Sequence, residues 1–138
     1  MSWMPYVDQM MGYPNVQAAA IVGFKPSFSI YASKGSCLDG ISNAQVQSWL
    51  SNDRGPLFAN GARVGSLNCS VIRDSMSASE ECPRMELRTK NAGGSTCGVT
   101  IAQAETTLAI AVTTEGSHGS YANTPTIKTA TYLKSSHY

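Results

Sequence analysis

Four segments with the composition of β-strands follow one another in the second half of the chain. They are NCSVIRDSM (68–76), MELRTK (85–90), CGVTIAQA (97–104) and TTLAIAVTT (106–114). Pieces rich in turn-forming residues, such as EECP (80–83) and NAGGS (91–95), lie between them. Because consecutive strands joined by short turns usually pair with each other, this order predicts an antiparallel meander.

An apolar stripe near the N-terminus predicts the first helix. The stripe consists of Trp3, Tyr6, Val7, Met10 and Met11. Spacings of three and four residues bring these side chains to one helix face. Ser2 is in position to cap the helix, and Gly12 with Pro14 ends it.

A hairpin and a short helix connect this first helix to the strand-rich region. AAAIVGF (18–24) and SFSIYAS (27–33) are expected to pair across a turn at Lys25-Pro26-Ser27. Ser42 and Gln45 have the spacing of a capping box, which predicts a short second helix after them.

The end of the chain predicts a last helix. Asn123 or Thr124 is its expected cap, and Pro125 its first helical residue, where a missing amide costs no helical hydrogen bond. Helices and antiparallel strands in this order predict one α+β domain over residues 1–138, with helices covering a central sheet.

The charge balance excludes several classes of protein. Among 138 residues, 10 are Lys or Arg and 9 are Asp or Glu, so the net charge is +1. This balance provides no general attraction to nucleic acid or to membranes. The N-terminus has no basic leader, and the apolar run Ala18–Phe24 is too short to span a bilayer, so we expect a cytoplasmic monomer.

Known catalytic motifs are missing from the sequence. It has no Walker loop, no G-x-G-x-x-G and no H-E-x-x-H, so no enzyme activity, cofactor or metal is expected. Cys37, Cys69, Cys82 and Cys97 form no C-x-x-C pair, which favours free thiols. A thiol hydrolase using His118 is the alternative, although Cys69 and Cys97 lie in apolar strand patterns typical of inert thiols.

Aromatic residues are concentrated near the two chain ends. Trp3 and Tyr6 are one helical turn apart, and Tyr132 and Tyr138 lie in the last seven residues. If the terminal helices are neighbours, these rings meet in a shallow groove with Tyr31 as its floor, and such grooves bind polyproline helices. The alternative is that Trp3 and Tyr6 are core residues of an amphipathic helix.

Positive charge is concentrated between residues 54 and 90. The cluster comprises Arg54, Arg63, Arg73, Arg84, Arg88 and Lys90. The simplest interpretation is a solvated sheet face offset by Asp74, Glu80, Glu81 and Glu86, and spacing alone identifies no partner.

Five longer motifs resemble the profilin family, particularly its animal form. They are S-W-x-x-Y-V-D-Q-M-M (2–11), A-A-I-V-G (19–23), N-C-S-V-I-R-D-S (68–75), M-E-L-R-T-K (85–90) and E-G-S-H-G-S (115–120). The resemblance implies a central antiparallel sheet with the terminal helices side by side on one face and a short helix on the other. It also implies an adaptor associated with the cytoskeleton. Such an adaptor binds monomeric actin, proline-rich proteins and phosphoinositides, promotes actin nucleotide exchange and regulates filament assembly.

The same resemblance implies a polyproline-binding set. Its members here are Trp3, Tyr6, Tyr31, Tyr132, Leu133 and Tyr138. Tyr31 stands where the family usually has tryptophan, and Tyr132 where animal forms often have histidine. Because tyrosine keeps a stacking face with less ring area, we expect a modest loss of affinity at most.

An actin-binding set is implied as well. Its members are Phe58, Ser70, Val71, Arg73, Arg88, Lys90, His118 and Asn123. Several positions that are often larger or positively charged in animal profilins differ here, namely Asn68, Gly98, Thr114, Ser117 and Thr124. Since charge complementarity mainly sets the association rate, we expect slower and weaker actin binding than in a lysine-rich relative. The alternative is a profilin-like polyproline module with weakened or absent actin binding.

Phosphoinositide contact is assigned, on the resemblance, to four cations. These are Arg73, Arg88, Lys90 and Lys134. A multivalent anion requires several cations within about 8–10 Å, so this expectation depends on how closely the fold gathers them.

Overall fold

A computed structural model describes residues 3–76, 82–90 and 94–138. Its helices are α1 Met4–Met11, α2 Asn43–Trp49, α3 Gly55–Asn60 and α4 Ser120–Ser135, with a 3₁₀ turn at Ser36–Leu38. Its strands are β1 Val16–Gly23, β2 Ser29–Lys34, β3 Ala62–Val64, β4 Leu67–Asp74, β5 Arg84–Thr89, β6 Gly98–Gln103 and β7 Thr107–Thr113.

All seven strands form one antiparallel sheet in the order β2-β1-β7-β6-β5-β4-β3. The predicted hairpin and meander are therefore both confirmed. β1 joins them by pairing with β7, where Ala19 lies opposite Ala111. This pairing brings the two ends of the chain to the same part of the sheet.

The terminal helices pack side by side on one face of the sheet, as expected. Their contact layer is built largely from small side chains, including Ala19, Ala32, Ala102, Ala109 and Ala130. Small residues let the helix backbones approach the strands closely, while Val7, Met10 and Leu133 fill the space between them. The opposite face carries α2, α3 and the larger core around Trp49, Met85 and Ile110.

The terminal helices α1 and α4 do not cover the whole of the sheet face on which they pack. α1 and α4 pack mainly on β1, β2, β6 and β7, which leaves β4 and β5 open on that side. Met85 and Leu87 of β5 are buried in the larger core, whereas Glu86 and Arg88, which alternate with them along the strand, remain half-buried. The side chains of β4 and β5 therefore form a partly open polar surface beside α4.

The predicted start of the last helix is wrong. α4 begins at Ser120 with Gly119 as its N-cap residue, so Pro125 lies inside the helix. A proline at this position removes the hydrogen bond to the Tyr121 carbonyl. The Thr126 hydroxyl donates to the Ala122 carbonyl at 2.8 Å, so the adjacent turn keeps additional hydrogen bonding.

The capping box is half correct. The Ser42 hydroxyl accepts the Gln45 amide at 3.2 Å, but the Gln45 side chain does not return to Ser42. It pairs instead with the backbone of Gly65, at 2.9 Å to its N–H and 3.0 Å to its carbonyl. A long-range backbone pair has replaced the local one, tying α2 to the turn before β4.

Two short elements were not predicted from the sequence, and some predictions fall on residues outside the described ranges. Sequence patterns gave no separate α3 or β3, because both are short and one holds a proline in its first turn. The proposed Ser2 cap lies outside the described residues, as do Glu80 and Glu81 of EECP and residues 91–93 of NAGGS. Among the helices described, none has the combined length and apolar character needed to cross a lipid bilayer.

Candidate binding sites

Five aromatic side chains from both chain ends and the hairpin form one cluster. Trp3 stacks on Tyr31, with ring centroids 4.8 Å apart and planes inclined by 14°. Tyr138 meets the Trp3 ring edge-on at 5.1 Å, and Tyr6 lies 5.9 Å from it. Tyr132 extends the set, 5.9 Å from Tyr6. We call these five residues the aromatic cluster.

The cluster is accessible at the surface. Tyr31 is 38% exposed and Tyr132 56% exposed, while Trp3, Tyr6 and Tyr138 are half-buried. Trp3 and Tyr6 also pack against the core under α1, so the core interpretation of these two residues is partly right. Their remaining surface is nevertheless continuous with the exposed tyrosine rings through the ring contacts.

A glycine beneath Tyr31 permits its orientation. Gly23 is the last residue of β1, and a Cβ atom there would lie only 2.6 Å from Cζ of Tyr31. Real Cβ contacts are not that short, so any larger residue would displace the ring. The sequence motif A-A-I-V-G contains this glycine, but its role becomes visible only when β2 pairs with β1.

The backbone after α4 turns Tyr138 back toward Trp3. The Tyr138 amide donates to the Leu133 carbonyl at 2.8 Å and the His137 amide to the Lys134 carbonyl at 3.1 Å. Together with a left-handed φ of 68° at His137, these bonds form a Schellman motif. The Tyr138 carbonyl also accepts hydrogen bonds from Thr106, which anchors it to the turn before β7.

Leu133 differs from the other residues of its predicted set. It is fully buried between α4 and the sheet, so it supports the aromatic cluster without offering surface to a ligand.

The aromatic environment also affects Tyr6, whose pKa is raised by burial and by the neighbouring Tyr132 and Tyr138 phenols. A phenol is protonated at neutral pH even at its ordinary pKa, so the Tyr6 hydroxyl can donate a hydrogen bond.

The open surface of β4 and β5 is the second candidate site. A β-bulge between Val71 and Arg73 makes Ile72 the unpaired residue, and Ile72 is 63% exposed. Val71, named from the sequence, is half-buried and packs against the larger core instead. Alternation breaks at the bulge, so Ile72 and Arg73 are both exposed. No sequence pattern predicted Ile72 as a site residue.

Arg88 holds a loop beside this surface. Its guanidinium donates to the Thr96 hydroxyl at 2.8 Å and to the Ser117 carbonyl at 2.9 Å. The loop approaches closely because Gly98 lies against Gly119, where a Cβ on Gly98 would be 2.7 Å from the Gly119 Cα. Arg88 therefore positions the loop that carries His118, and still lines a recess of about 420 Å³ beside it.

His118 and Asn123 complete the α4 side of the surface. The Nδ1 atom of His118 accepts the Ser120 amide at 3.1 Å, which leaves the exposed Nε2 edge to carry the ring proton. Asn123 is half-buried and donates to Glu86 at 2.9 Å, so it links α4 to β5. We call this surface the β4–β5 face. His118 lines its recess together with Ile72 and Arg88, and Asn123 adjoins the recess through Glu86.

The remaining members of the actin set lie toward α3. Phe58 on α3 is 57% exposed, and α3 packs against β4. Ser70 is half-buried and lies opposite Arg88 in the β4–β5 register. Lys90 is exposed, with its ammonium 3.1 Å from the Asn60 carbonyl at the end of α3. Ser70 and Lys90 extend the β4–β5 face toward α3, whereas Phe58 lies on α3 itself, which packs on the opposite face of the sheet.

The four predicted phosphoinositide cations are not brought together. Arg88 contacts Ser117, just before α4, whereas Lys134 lies in the last turn of that helix. From Ser120 to Lys134 the helix rises about 21 Å, more than twice the Debye length at physiological salt. Only Arg73, Arg88 and Lys90 share the β4–β5 face.

Two arginines of the basic cluster are neutralised by acids, as the simplest interpretation of that cluster proposed. Arg54 forms a bidentate pair with Asp74 at 2.7 and 2.9 Å, and both side chains are largely buried. Burial alone would raise the pKa of Asp74, but hydrogen bonds from Arg54 and from the Met76 amide lower it below its ordinary value. Arg84 lies 3.5 Å from Glu86.

The cysteines do not resemble nucleophiles. Cys69 is buried, and burial with the nearby Cys97 raises its pKa to about 12. Burial also raises the pKa of Cys37 and of Cys97. Cys37, Cys69 and Cys97 are free thiols, and the described residues contain no group of three His, Cys, Asp or Glu able to hold a metal ion. Thiols with raised pKa values are poor nucleophiles at neutral pH.

Comparison with known proteins finds one family that matches this sequence over the whole chain. A family model described as Profilin matches residues 1–138. Profilin-1 of Homo sapiens is 38% identical over 138 residues, covering 99% of this chain and 98% of that protein. Profilin-2 of Rattus norvegicus is 35% identical over 136 residues, covering 97% and 96%.

A solved structure with the same fold also matches along its full length. Mouse Profilin IIa, in complex with a double repeat from the FH1 domain of mDia1, superimposes with a TM-score of 0.92 at 32% identity. The alignment covers 100% of both chains.

An accessible aromatic cluster and an open polar sheet face are the features of a binding protein. The chain belongs to the profilin family, and its mammalian relatives make it an animal-type member. Profilins are actin-binding adaptors without catalytic activity of their own.

Proposed function

We propose that this chain holds a proline-rich segment on the aromatic cluster and monomeric actin on the β4–β5 face at the same time. The observation that carries the proposal is the position of the two surfaces at opposite ends of α4. Tyr132 and Tyr138 lie at its C-terminal end and Asn123 near its start. A helix of 16 residues is about 24 Å long, so two partners can be bound without overlap.

The chemistry of the aromatic cluster suits a polyproline helix. Such a helix is already extended, so it loses little conformational entropy when its rings stack on Trp3, Tyr31 and Tyr138. The Tyr6 hydroxyl, which stays protonated at neutral pH, can donate to a ligand carbonyl. The mouse profilin IIa complex, which contains an FH1 repeat, supports this assignment by similarity.

The β4–β5 face has the composition of a protein interface. Ile72 on this face and Phe58 on the adjoining α3 are large apolar side chains that are more than half exposed, and aromatic and apolar residues are typical of the centre of a protein interface. The exposed cations Arg73 and Lys90 flank them and favour a partner with an acidic surface. By family resemblance we assign that partner as actin, with accelerated nucleotide exchange and regulated filament assembly as consequences in the cytoplasm.

One bench experiment tests both halves. The protein is loaded on a polyproline column, and monomeric actin is then passed over the retained material. We expect retention of the protein and co-retention of actin. The Ile72→Ala variant should stay on the column but release actin, because Ile72 is remote from the aromatic cluster. Failure of the wild-type protein to bind the column would refute the first half.

A polyproline module without actin binding is the second candidate. It is favoured by the neutral residues Asn68, Thr114 and Thr124 and by the internal contacts of Arg88, which reduce positive charge available on the face. Pyrene-actin assembly separates the two functions. An actin-binding protein suppresses spontaneous nucleation, whereas a module that binds only proline leaves the assembly curve unchanged.

We restrict the phosphoinositide proposal to Arg73, Arg88 and Lys90, which share the β4–β5 face. Retention on vesicles containing an anionic phosphoinositide should decrease in Arg88→Ala and in Lys90→Ala. Lys134→Ala should retain the wild-type level, because that residue lies at the other end of α4. Unchanged retention in the first two variants would refute the assignment.

A further inference from the structure

A recess continues from the aromatic cluster along the seam between α1 and α4. Its volume is about 390 Å³. It is lined by Tyr6, Gln9, Tyr13, Lys128, Thr129 and Tyr132. Because Tyr6 and Tyr132 belong both to the recess and to the aromatic cluster, a chain that leaves the cluster past these rings enters the recess directly.

The far part of the recess differs chemically from the cluster. The ammonium of Lys128 is exposed and forms no ion pair with another described residue. Among the described residues, no acidic side chain lines the recess, and Asp8, the acid next to Gln9 on α1, is paired with Lys34 of β2. The recess therefore carries one uncompensated positive charge beside the Gln9 carboxamide and the Tyr13 phenol.

We propose that this recess is a selectivity subsite for a carboxylate that flanks a proline run. The proposal rests on the proposed binding of proline-rich segments to the aromatic cluster and adds a preference for Glu or Asp beyond the prolines. Continuity with the cluster fixes the path of the ligand, and the charge of Lys128 fixes the sign of the group that it selects.

The spacing in the ligand follows from helix geometry. Lys128 precedes Tyr132 by one turn of α4, which is about 6 Å along the axis. A polyproline helix advances about 3.1 Å per residue, so an acid about two residues beyond the proline over Tyr132 lies level with Lys128. A lysine in place of the acid would bring two like charges together.

The test uses peptides that differ only at the flanking position. Each peptide contains ten consecutive prolines and one test residue, which is Glu, Gln or Lys. The test residue is placed two positions after the last proline in one set and two positions before the first proline in the other set. The plain ten-proline peptide is the reference. We measure affinity by tryptophan fluorescence at low and at physiological salt. Because exposed ion pairs are weak, we expect the Glu peptide of one polarity to bind about two- to fivefold more tightly than its Gln counterpart. The gain should shrink as salt is raised.

Variants of Lys128 identify the source of the preference. Lys128→Met should abolish the Glu over Gln difference, and Lys128→Glu should reverse it in favour of the Lys peptide. Arg63→Met removes an exposed cation on β3, at the opposite edge of the sheet from β2, and should leave the preference unchanged. The plain peptide should bind all of these variants with the wild-type affinity.

The outcomes separate the subsite from the proposed function. Equal affinity of Glu and Gln peptides in both polarities, with the plain peptide still binding, overturns the subsite alone. A Glu preference that survives Lys128→Met also overturns it. If neither the plain nor the flanked peptides bind the wild-type protein, the polyproline function itself fails, and the subsite fails with it.

Discussion

The indole of Trp3 and the phenol ring of Tyr31 are stacked, with centroids 4.8 Å apart and planes 14° from parallel. Trp3 immediately precedes α1, and Tyr31 lies in β2, so the stack joins a terminal helix to the edge strand of the sheet. Gly23 of the neighbouring strand lies directly under the Tyr31 ring. The geometry of the aromatic cluster thus depends on a buried glycine outside the cluster itself.

Gly23→Ala should weaken polyproline binding by about two- to tenfold. The added Cβ displaces the Tyr31 ring and breaks a stack of a kind that is worth about 0.5–1.5 kcal/mol. Fluorescence titration with a polyproline peptide measures the loss, and thermal unfolding checks that the variant is folded. In a Tyr31→Ala background the same substitution should cost nothing further.

Gly12→Ala is the matched control for this substitution. A Cβ on Gly12 makes its nearest contact at 3.4 Å, with the Gln9 carbonyl, and the residue has an ordinary negative φ. Its affinity for polyproline should equal that of the wild type. Equal affinity of Gly23→Ala and Gly12→Ala would contradict the role assigned to Gly23.

Ile72→Ala should reduce actin affinity about 5- to 30-fold, which corresponds to a loss of about 1–2 kcal/mol at an interface anchor. Stability should change little, because the side chain is 63% exposed. Ile30→Ala is the control, since Ile30 is a 43% exposed isoleucine on β2, the opposite edge strand. If both variants bind actin equally well, Ile72 is not part of the interface.

Adding positive charge should accelerate actin association. Asn68→Lys and Thr124→Lys restore lysines at exposed positions where animal profilins often have them. Because charge complementarity acts on encounter, we expect the association rate to rise at low salt and the gain to fall as salt is added. Stopped-flow binding at two salt concentrations measures this. Identical association rates for the variant and the wild-type protein would refute the charge argument.

Asp74→Asn should destabilise the fold by about 3–5 kcal/mol, because it leaves the Arg54 guanidinium buried without its partner charge. Asp8→Asn removes a pair whose side chains are about half exposed and should cost less than about 1 kcal/mol. Urea unfolding of the two variants gives the comparison. Losses of equal size would mean that burial of the pair does not matter.

The lowered pKa of Asp74 also predicts a pH dependence. The carboxylate has a lower pKa in the folded chain than the ordinary unfolded value of about 3.9. Its contribution to the free energy of unfolding is therefore complete above about pH 4 and is lost as the pH falls further. The wild-type protein should lose this part of its stability on acidification, while Asp74→Asn should lack that part of the decrease.

The buried Cys69 thiol predicts a loss of stability at high pH, the opposite of the loss at low pH that Asp74 predicts. Cys69 has a pKa of about 12 in the folded state, so its folded thiol keeps a proton that the unfolded chain releases near pH 8.5. Stability should fall as the pH rises above about 8.5, with a limiting slope of about 1.4 kcal/mol per pH unit from this residue. Cys69→Ala should flatten that slope.

Alkylation provides a second measurement on the same thiols. A small alkylating probe at neutral pH should label the folded protein slowly and the denatured protein quickly. One rapidly labelled cysteine in the folded state would revive the thiol-hydrolase alternative.

Local sequence patterns were sufficient for the longer elements and their type, but not for the short α3 and β3 or for the start of α4. Alternating apolar residues and turn residues predicted the hairpin and the meander, and the stripe from Trp3 to Met11 predicted α1. These signals are reliable because side-chain period and turn chemistry act over a few residues. They failed where a local preference met a stronger distant contact, as at Gln45, whose side chain binds the Gly65 backbone.

The candidate sites were predictable in composition but not in geometry. The five aromatic residues were identified from the sequence, yet Leu133 of the same set is buried. Ile72 was missed because a bulge changes which β4 side chains face outward. The charge of Arg88 was visible, but not its hydrogen bonds to the backbone around residues 96 and 117.

The order of the residues alone determined six of the seven strands described, the presence of the two terminal helices, and the aromatic and basic residues available for binding. Tertiary structure decided that the two chain ends meet, because that requires β1 to pair with β7, about ninety residues away. It also decided which rings and cations remain accessible, since accessibility depends on packing between distant segments. The α1–α4 seam, with Lys128 at its edge, exists only after that pairing has formed.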